Sequence, residues 1–331
     1  MPSSAVRTYS DPEDYVAGIR QGTYELTVTE RGRFAAKLTR IDLHRLWMQR
    51  FFDNLPRVSH IAGWGGRAVI SFRTQPGPSL LRSGVEMQPD HLFRLSDGRS
   101  FYQRSSGFAC YGCMSLPIAD MVSVGAAIAG CDLTPPGDTL IVIPPPSAMA
   151  RLQRLHAAAA HLAEETPEII ANPDAARGLE QALIEAMVEC LSTGEPNGDR
   201  VAWRHHAMIL RRFRRAVEES PDEPLYIPEL CAAIGVSDRT LRVCCQEQLG
   251  MSPKHYLLLR RMHLARRALR DSSPDTTTVT EIATQYGFWQ FGRFAGEYKT
   301  LFGEAPSTTL HRPHEWQRAL RSHFRISAKS E

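Results

Sequence analysis

Apolar residues in the first part of the chain occur in short runs that Gly and Pro clusters separate. The runs are rich in β-branched and aromatic side chains. Short runs of this composition, bounded by turn residues, are typical of antiparallel strands. They predict an α+β protein whose first domain is an antiparallel β-barrel or jelly roll. The predicted strands lie at Tyr24–Val28, Phe34–Leu43, Leu46–Phe51, Arg67–Phe72, His91–Leu95 and Ala109–Leu116.

The segments on either side of these strands have other patterns. Residues 1–22 are polar, with Ser, Asp and Pro, and are predicted to form a loose arm. Apolar residues in Pro117–Gly130 recur at helical spacing, which predicts a helix. Leu140–Ile143 is one more predicted strand, and the three prolines after it stop the strand.

Two amphipathic helices are predicted after those prolines. Ser147 is the expected N-cap of the first helix. The second spans about Pro173–Leu191, with Leu183 and Met187 in its apolar stripe. Such stripes either cover the β-domain or pair with a second subunit, and the pattern does not choose between these. Residues 192–200 are rich in Gly, Pro and Asn and predict a linker.

The last third of the chain has helical periodicity with glycines at regular turns. Ser237 and Thr280 are the expected N-caps of two short helices, and Gly235 and Gly287 occupy turns where the chain reverses. Two short helices joined by a Gly turn form a helix-turn-helix, and this arrangement occurs twice. The predicted helices are Val201–Glu219, Ile227–Ile234, 237–249, 253–270, 280–286 and a last helix with Phe291, Phe294, Tyr298 and Leu301 on its apolar face.

Both motifs resemble those of the AraC/XylS family of transcription regulators. The second motif matches the family pattern at Ile282, Ala283, Gly287, Phe288, Phe294, Lys299, Gly303 and Pro306. The first matches at Leu230, Ala233, Gly235, Ser237, Leu241, Gly250, Ser252, Pro253 and Tyr256. The departures are Val243, Cys245, Gly292, Gly296 and Tyr298, where the family usually has Arg, Phe, Ser, Arg and Phe.

The resemblance implies a DNA-binding regulator that activates a nearby promoter in response to a small molecule. It also implies double-stranded DNA and RNA polymerase as partners, a cupin-like first domain and a homodimer. The expected domains are a β-barrel sensor domain with its arm (1–146), a helical hairpin that is a candidate dimerisation segment (147–191), the linker (192–200), the DNA-binding domain (201–312) and a C-terminal tail (313–331).

The candidate DNA contacts lie at the outward positions of the second helix in each helix-turn-helix motif. Arginine and glutamine can pair bidentately with guanine and adenine in the major groove, although a solvated helix face would show the same residues. The base-reading candidates are Arg239, Arg242, Gln290 and Arg293. The candidates for the DNA backbone, where contacts give affinity and register, are Ser237, Thr240, Arg260, Arg261, Lys299 and Ser307.

A helix of 18 residues between the motifs would be about 27 Å long. That length approaches one turn of the duplex, about 34 Å, once the offset of the two reading helices is added. A rigid connection of this length would place two reading helices in successive major grooves on one face of the DNA.

The distribution of charge agrees with a nucleic-acid partner for the C-terminal part of the chain only. The 331 residues carry a net charge of +3. Residues 204–318 contain 17 Lys and Arg against 13 Asp and Glu, whereas residues 1–202 contain 19 against 22.

The seven cysteines are an odd number, and no apolar run is long enough to span a bilayer. We therefore expect a cytoplasmic protein with reduced thiols.

No pattern of a metal or catalytic site accompanies the β-domain. Cys110 and Cys113 have metal-like spacing, but no second pair completes a four-ligand set. The sequence therefore predicts no cofactor, no metal and no enzyme activity. Two alternatives stay open: a cupin-type enzyme with an appended DNA-binding domain, and an interaction module with a degenerate one. Four aromatic residues are candidates for an effector pocket, although core packing would use the same residues: Trp47, Trp64, Phe72 and Phe93.

Overall fold

The computed structural model describes residues 1–20, 22–62, 65–197, 201–219 and 226–312, with side chains from 205 onward in the helix that begins at 201. Contacts divide the chain into two compact units. The first contains Met1–Val28, Phe34–Arg211 and Val243–Gly250, and the second contains Thr29–Arg33, Arg212–Arg242 and the chain from Met251 onward. A domain boundary at 192–200 stays a prediction.

The first unit contains two antiparallel sheets, which confirms the predicted α+β class. The larger has the strand order β1-β3-β4-β11-β6-β9-β12-β13 and the smaller the order β2-β5-β10-β7-β8. Within the part of the chain described, the strands form these two separate sheets and not one closed barrel. The strands are β1 Ser3–Tyr9, β2 Thr23–Val28, β3 Ala36–Asp42, β4 Trp47–Asp53, β5 Arg57–Ala62, β6 Arg67–Arg73, β7 Leu80–Arg82, β8 Val85–Glu86, β9 Leu92–Arg94, β10 Phe101–Ser105, β11 Ala109–Pro117, β12 Leu140–Ile143 and β13 Glu195–Pro196.

The polar N-terminus is part of the fold, and the prediction of a loose arm was wrong. Strand β1 pairs with β3 over its whole length, from Ser3 opposite Asp42 to Tyr9 opposite Ala36. Helix α1, Pro12–Gly18, follows it. The Asp11 carboxylate caps this helix by accepting from the backbone N–H of Glu13 at 3.0 Å. The polar pattern obscures this edge strand in the sequence, because its attachment depends mainly on backbone pairing with β3.

Strand β11 lies in the middle of the larger sheet and sends its side chains to two separate cores. Met114 belongs to the core under the helices, which also contains Ile70 and Phe72. Tyr111 points to the opposite face, where its ring stacks on Phe51 at 4.5 Å. Successive residues of a strand face opposite sides, so one strand supplies both cores. The second core lies between the two sheets.

Four helices accompany the larger sheet: α2 Ile118–Ala129, α3 Pro146–Glu165, α4 Pro167–Ala171 and α5 Pro173–Thr193. Leu152 of α3 and Leu183 and Met187 of α5 are fully buried and share a core with residues of the sheet. The apolar stripes therefore cover the sheet, which favours the first of the two interpretations. The prediction of Ser147 as N-cap was wrong: the N-cap of α3 is Pro145, two residues earlier, because Pro146 occupies the first helical position.

The predicted linker begins later than expected. Helix α5 continues to Thr193, and β13 then pairs with β12, with Glu195 opposite Ile143. The first part of the Gly- and Pro-rich segment is thus ordered by the sheet. Residues 198–200 lie outside the described part of the chain.

A buried histidine on α3 is a source of pH dependence. The His156 ring packs edge-on against Phe72, with 5.1 Å between ring centroids. It also lies over Gly112, where a Cβ would come within 2.6 Å of the ring nitrogen. Burial and the nearby Arg50 lower the pKa of His156 to about 3. The folded protein therefore keeps this imidazole neutral at pH values where an unfolded chain, with a pKa of about 6.5, protonates it.

We expect the unfolding free energy to fall as the pH drops from about 6.5 toward 3, because the unfolded chain alone gains a proton in that window. The contribution of His156 is about 1.4 kcal/mol per pH unit. Urea unfolding across that range should give a shallower pH slope for His156→Leu than for the wild type. His161→Leu, at an exposed position of the same helix, is the matched control and should keep the wild-type slope. Equal slopes for wild type and His156→Leu would contradict a neutral buried imidazole.

The chain after the linker forms seven helices in its described part. They are α6 Val201–Glu219, α7 Ile227–Ile234, α8 Asp238–Leu249, α9 Pro253–Asp271, α10 Val279–Gln285, α11 Phe291–Phe302 and α12 Pro306–Leu310. Helices α9 to α12 share one apolar core, to which Met262, Phe288, Phe294 and Tyr298 contribute. No helix in the described part of the whole chain is both long enough and apolar enough to cross a membrane.

Candidate nucleic-acid interface

The second helix-turn-helix begins with a capping box at α10. The Thr278 hydroxyl accepts from the backbone N–H of Glu281 at 3.2 Å, and the Glu281 carboxylate accepts from the backbone N–H of Thr278 at 2.7 Å. Thr280, the predicted N-cap, lies inside the first turn instead. The cap falls two residues earlier because only Thr278 has a glutamate three residues after it to complete the reciprocal pair.

The turn between α10 and α11 depends on Gly287. Its φ is +73°, a left-handed conformation that most side chains disfavour. Two hydrogen bonds close the turn: Gly287 N–H donates to the carbonyl of Thr284 at 2.9 Å, and Phe288 N–H donates to that of Ala283 at 2.8 Å. These bonds satisfy carbonyls that the end of α10 leaves free. The predicted turn is confirmed.

One face of α11 is anchored in the core of this unit. Phe294 and Tyr298 are buried, and the Phe294 ring lies 4.7 Å from that of Phe288. Phe291 was predicted to extend this face, but its side chain is 42% exposed. The apolar stripe is therefore shorter than the spacing suggested, because the first turn of α11 projects beyond the core.

A polar chain fixes the end of α11 to α12 and α9. The Tyr298 hydroxyl donates to the Thr309 hydroxyl at 2.8 Å, and the Thr309 hydroxyl donates to Glu304 at 3.0 Å. The Glu304 carboxylate also lies 4.0 Å from the guanidinium of Arg266. Buried side chains that satisfy one another in this way restrict the packing to one arrangement. The orientation of α11 is thus set from its buried side.

The outer face of α11 presents polar groups at its first turns. Gln290 is the N-cap residue, and its exposed side chain makes no cap hydrogen bond. Arg293 is also exposed, and its Nε donates to Glu297 one turn later at 2.8 Å. Both base-reading candidates of this motif therefore lie where a groove-binding helix presents its N-terminal residues.

These residues form one wall of a surface groove of about 500 Å³. Arg261 of α9 also lines the groove, with its guanidinium 5.2 Å from the centre of the Phe288 ring. Burial lowers the pKa of Arg261. Three further lining residues were missed in the sequence, namely Lys254, His255 and Trp289. Trp289 is 71% exposed, and its position beside Gln290, away from the apolar stripe, was the available signal.

The first motif shows a similar N-terminal arrangement. Ser237 accepts from the backbone N–H of Thr240 at 3.1 Å, so it caps α8 as predicted, and its hydroxyl contacts the Thr240 hydroxyl at 2.8 Å. Arg239 is exposed and has no ion pair among the described residues. Arg242 is also exposed, and its Nε lies 2.9 Å from an Asp238 oxygen, a contact that raises the pKa of Arg242.

The structure separates the DNA-backbone candidates into accessible and inaccessible ones. Lys299 lies exposed in the last turn of α11, and Ser307 lies exposed in the first turn of α12. Arg260, by contrast, is only 9% exposed. A guanidinium this buried is poorly placed for a phosphate contact, so burial disfavours the backbone role of Arg260 on α9, which stays a prediction. Arg261 is half-buried at the groove, and its contact with the DNA backbone stays a prediction.

The described aromatic residues among those predicted to line an effector pocket lie in different parts of the first unit. Phe72 lies in the core beneath the helices, whereas Phe93 lies in the core between the sheets. Trp47 is half-buried between two guanidinium groups, those of Arg20 at 4.0 Å and Arg67 at 3.6 Å. Trp64 lies outside the described residues. Phe72 and Phe93 therefore do not line one common pocket.

Comparison with known proteins gives matches in this region. A family model described as a helix-turn-helix domain matches residues 230–312. A probable thc operon regulatory protein from Rhodococcus erythropolis is 43% identical over 102 residues, 31% of each chain. XylDLEGF operon transcriptional activator 1 from Pseudomonas putida is 32% identical over 124 residues, 38% of this chain and 34% of that protein. The matches thus span about a third of these relatives.

A solved structure with similarity over most of the chain is that of ToxT from Vibrio cholerae. It covers 93% of this chain and 97% of its own, with 11% identity and a TM-score of 0.30.

The capped helices, the glycine turns and the family match define residues 230–312 as a double helix-turn-helix domain. The relatives named above are a probable operon regulatory protein and an operon transcriptional activator. Residues 230–312 are similar to the C-terminal domain of AraC/XylS regulators, and the resemblance observed in the sequence is confirmed.

Proposed function

We propose that the chain is a sequence-specific DNA-binding transcription regulator that activates transcription in response to a small molecule. One observation carries the proposal: Gln290 and Arg293 are exposed at the start of α11, whose opposite face is fixed in a core. Specific reading needs side chains on a rigid support, because a base edge offers donors and acceptors at fixed positions.

The proposed contacts divide into two kinds. Gln290 and Arg293, with Arg239 and Arg242 of the first motif, would read base edges in the major groove. Lys299, Ser307, Ser237 and Thr240 would bind phosphates, and Arg261 would add positive charge at the wall of the groove. Arg242 pairs with Asp238 and Arg293 with Glu297, each within its own helix. The carboxylates also make non-specific attraction to DNA weaker, since each offsets one positive charge.

Activation of transcription, the protein partners and the cellular location belong to the same proposal. Activation is supported by the relatives from Pseudomonas putida, which are operon transcriptional activators. RNA polymerase, a homodimer and a cytoplasmic location are proposed from the family resemblance. Helices α3 and α5 lend the homodimer no support, because their apolar stripes are buried against the sheet of the same chain. No catalytic role is proposed.

The test is selection of DNA fragments from a random library by the full-length protein. We expect enriched fragments to share a motif and to bind much more tightly than scrambled fragments of equal length. The affinity should fall steeply between about 50 and 200 mM salt, as phosphate contacts require. Fragments without a shared motif, or equal affinity for scrambled DNA, would contradict the proposal and favour an interaction module.

A further inference from the structure

Two large apolar side chains are exposed at the start of α11, one on each side of Gln290. Trp289 is 71% exposed and Phe291 is 42% exposed. Among the described residues, neither belongs to the apolar core that α9 to α12 share. Removal of apolar surface from water is favourable, so a partner that covers these two rings gains binding free energy. What that partner is depends on the surroundings of the pair.

The core beneath α11 is filled without these two rings. Phe288 and Phe294, which precede and follow them, are buried, and their rings lie 4.7 Å apart. Tyr298 continues the same buried face one turn later, with its ring 5.6 Å from that of Phe294. The domain therefore folds without burying Trp289 or Phe291, and substitutions at these two positions should leave its helices intact.

The charges around the pair favour a polyanion as the partner. Trp289 lines the surface groove together with Lys254, Arg261 and Arg293. Glu297 is the one carboxylate among the described residues that line this groove, and it is paired with Arg293. Positive charge therefore exceeds negative charge there. Such a groove attracts phosphates, and a protein surface rich in cations would be repelled from it.

The major groove of DNA offers an apolar side chain one specific partner. Thymine carries a C5-methyl group that projects into this groove, and apolar side chains contact that methyl group. Gln290 and Arg293 supply hydrogen bonds, which do not detect a methyl group. An aromatic ring directly beside Gln290 in the chain therefore adds a kind of base reading that the two polar side chains lack.

We propose that Trp289 and Phe291 contact thymine methyl groups in the major groove and so determine a thymine preference beside the bases that Gln290 and Arg293 read. The inference rests on the proposed DNA-binding function and adds two specificity-determining residues to it. Because both rings are already exposed at the end of a helix that its other face fixes in a core, the contact needs no rearrangement of the domain. An apolar protein surface is the competing partner, and the test separates the two.

Replacement of thymine by deoxyuridine tests the contact, because the exchange removes only the methyl group and keeps every hydrogen-bonding group of the base. The full-length protein first selects its site from a random library, and each thymine of that site is then replaced in turn. We expect the affinity to fall about fourfold at one or two of these positions, the equivalent of one buried methyl group each. Band-shift titrations at one fixed salt concentration measure the change.

The variants Trp289→Ala and Phe291→Ala should bind the thymine site more weakly and lose the difference between thymine and uracil. A cycle of side chain against methyl group isolates the contact, because a merely structural effect would weaken binding to both DNAs equally. Trp289→Phe keeps an aromatic ring and should keep part of the difference. Tyr226→Ala is the matched control, since Tyr226 is 63% exposed and directly precedes α7, the first helix of the other motif. It should keep the whole difference.

Failure of this inference and failure of the proposed function give different results. No selected motif at all would overturn both. A selected site without thymine, or with equal affinity for all its uracil forms, would overturn the methyl contact and keep the regulator. A difference that persists in both alanine variants would assign the methyl contact to other side chains and overturn it for this pair. Lost activation of a reporter promoter with wild-type DNA binding in both alanine variants would overturn it in favour of a protein partner.

Discussion

Replacing Met262 with proline is expected to separate the two helix-turn-helix motifs in function. Met262 lies in the middle of α9, Pro253–Asp271, and its side chain is 2% exposed in the core shared with α10 and α11. Proline there removes a backbone hydrogen bond and clashes with the preceding turn, at a cost of about 3 kcal/mol or more. The 19 residues of α9 give a length of about 28 Å if it is straight. A break at its centre removes that fixed spacing.

We therefore expect the affinity of Met262→Pro for a selected site to fall toward that of one motif alone. The dependence on salt should become shallower, because fewer phosphates are bound at once. Band-shift titrations at several salt concentrations measure both quantities, and circular dichroism reports the helix content of the same samples.

The control is Met262→Ala, which removes the same buried side chain but keeps the helix. It should cost about 2–5 kcal/mol of stability through the lost packing. The folded molecules that remain should keep the wild-type salt slope. A folded Met262→Pro protein with wild-type affinity and slope would contradict a rigid connection between the motifs.

The helical domain was predicted well from the sequence because its signals are local. Helix α7 has the predicted bounds, Ile227–Ile234, and Gly235 and Gly287 have the positive φ that their turns require. Propensity, spacing and a glycine turn all act over a few residues. The error at Thr280 has the same scale, since the true N-cap, Thr278, lies only two residues earlier.

The β-domain was predicted less completely because strand pairing is a long-range property. Strand β1 has a polar pattern, and its pairing with β3 depends on residues more than 25 positions away. The burial of Arg57 and Arg82 between the sheets is likewise invisible in a pattern of apolar positions. A charged residue in a strand predicts an exposed face, so the burial of these two arginines emerged only from the packing of the two sheets.

The candidate DNA surface was predicted in part, for a related reason. The outward positions of Gln290 and Arg293 follow from helical spacing. The burial of Arg260 does not, because it depends on how the other helices pack against α9. The ion pairs of Arg242 and Arg293 lie within single helices at i, i+4 spacing, and the sequence contained that information.

Arg293→Ala is expected to reduce the preference for a selected site at one or two base pairs. Arg293 extends from the first turns of α11, with its Nε on Glu297 at 2.8 Å. If its terminal nitrogens pair with a guanine, their loss removes about 1–3 kcal/mol of discrimination at that position. Binding to a set of single-base variants of the selected site measures the change position by position.

The matched variant is Glu297→Gln, which keeps Arg293 but removes the carboxylate that its Nε contacts. Removal of this negative charge should strengthen binding to specific and scrambled DNA alike, because one more positive charge faces the phosphates. The selectivity between bases should change less than in Arg293→Ala.

Exposed Lys299 lies on the same helix. Lys299→Ala should weaken binding to all DNA sequences about equally and reduce the salt slope. An unchanged ratio of specific to scrambled binding in Arg293→Ala would assign Arg293 to the solvated face of α11, and base reading by this motif would then rest on Gln290.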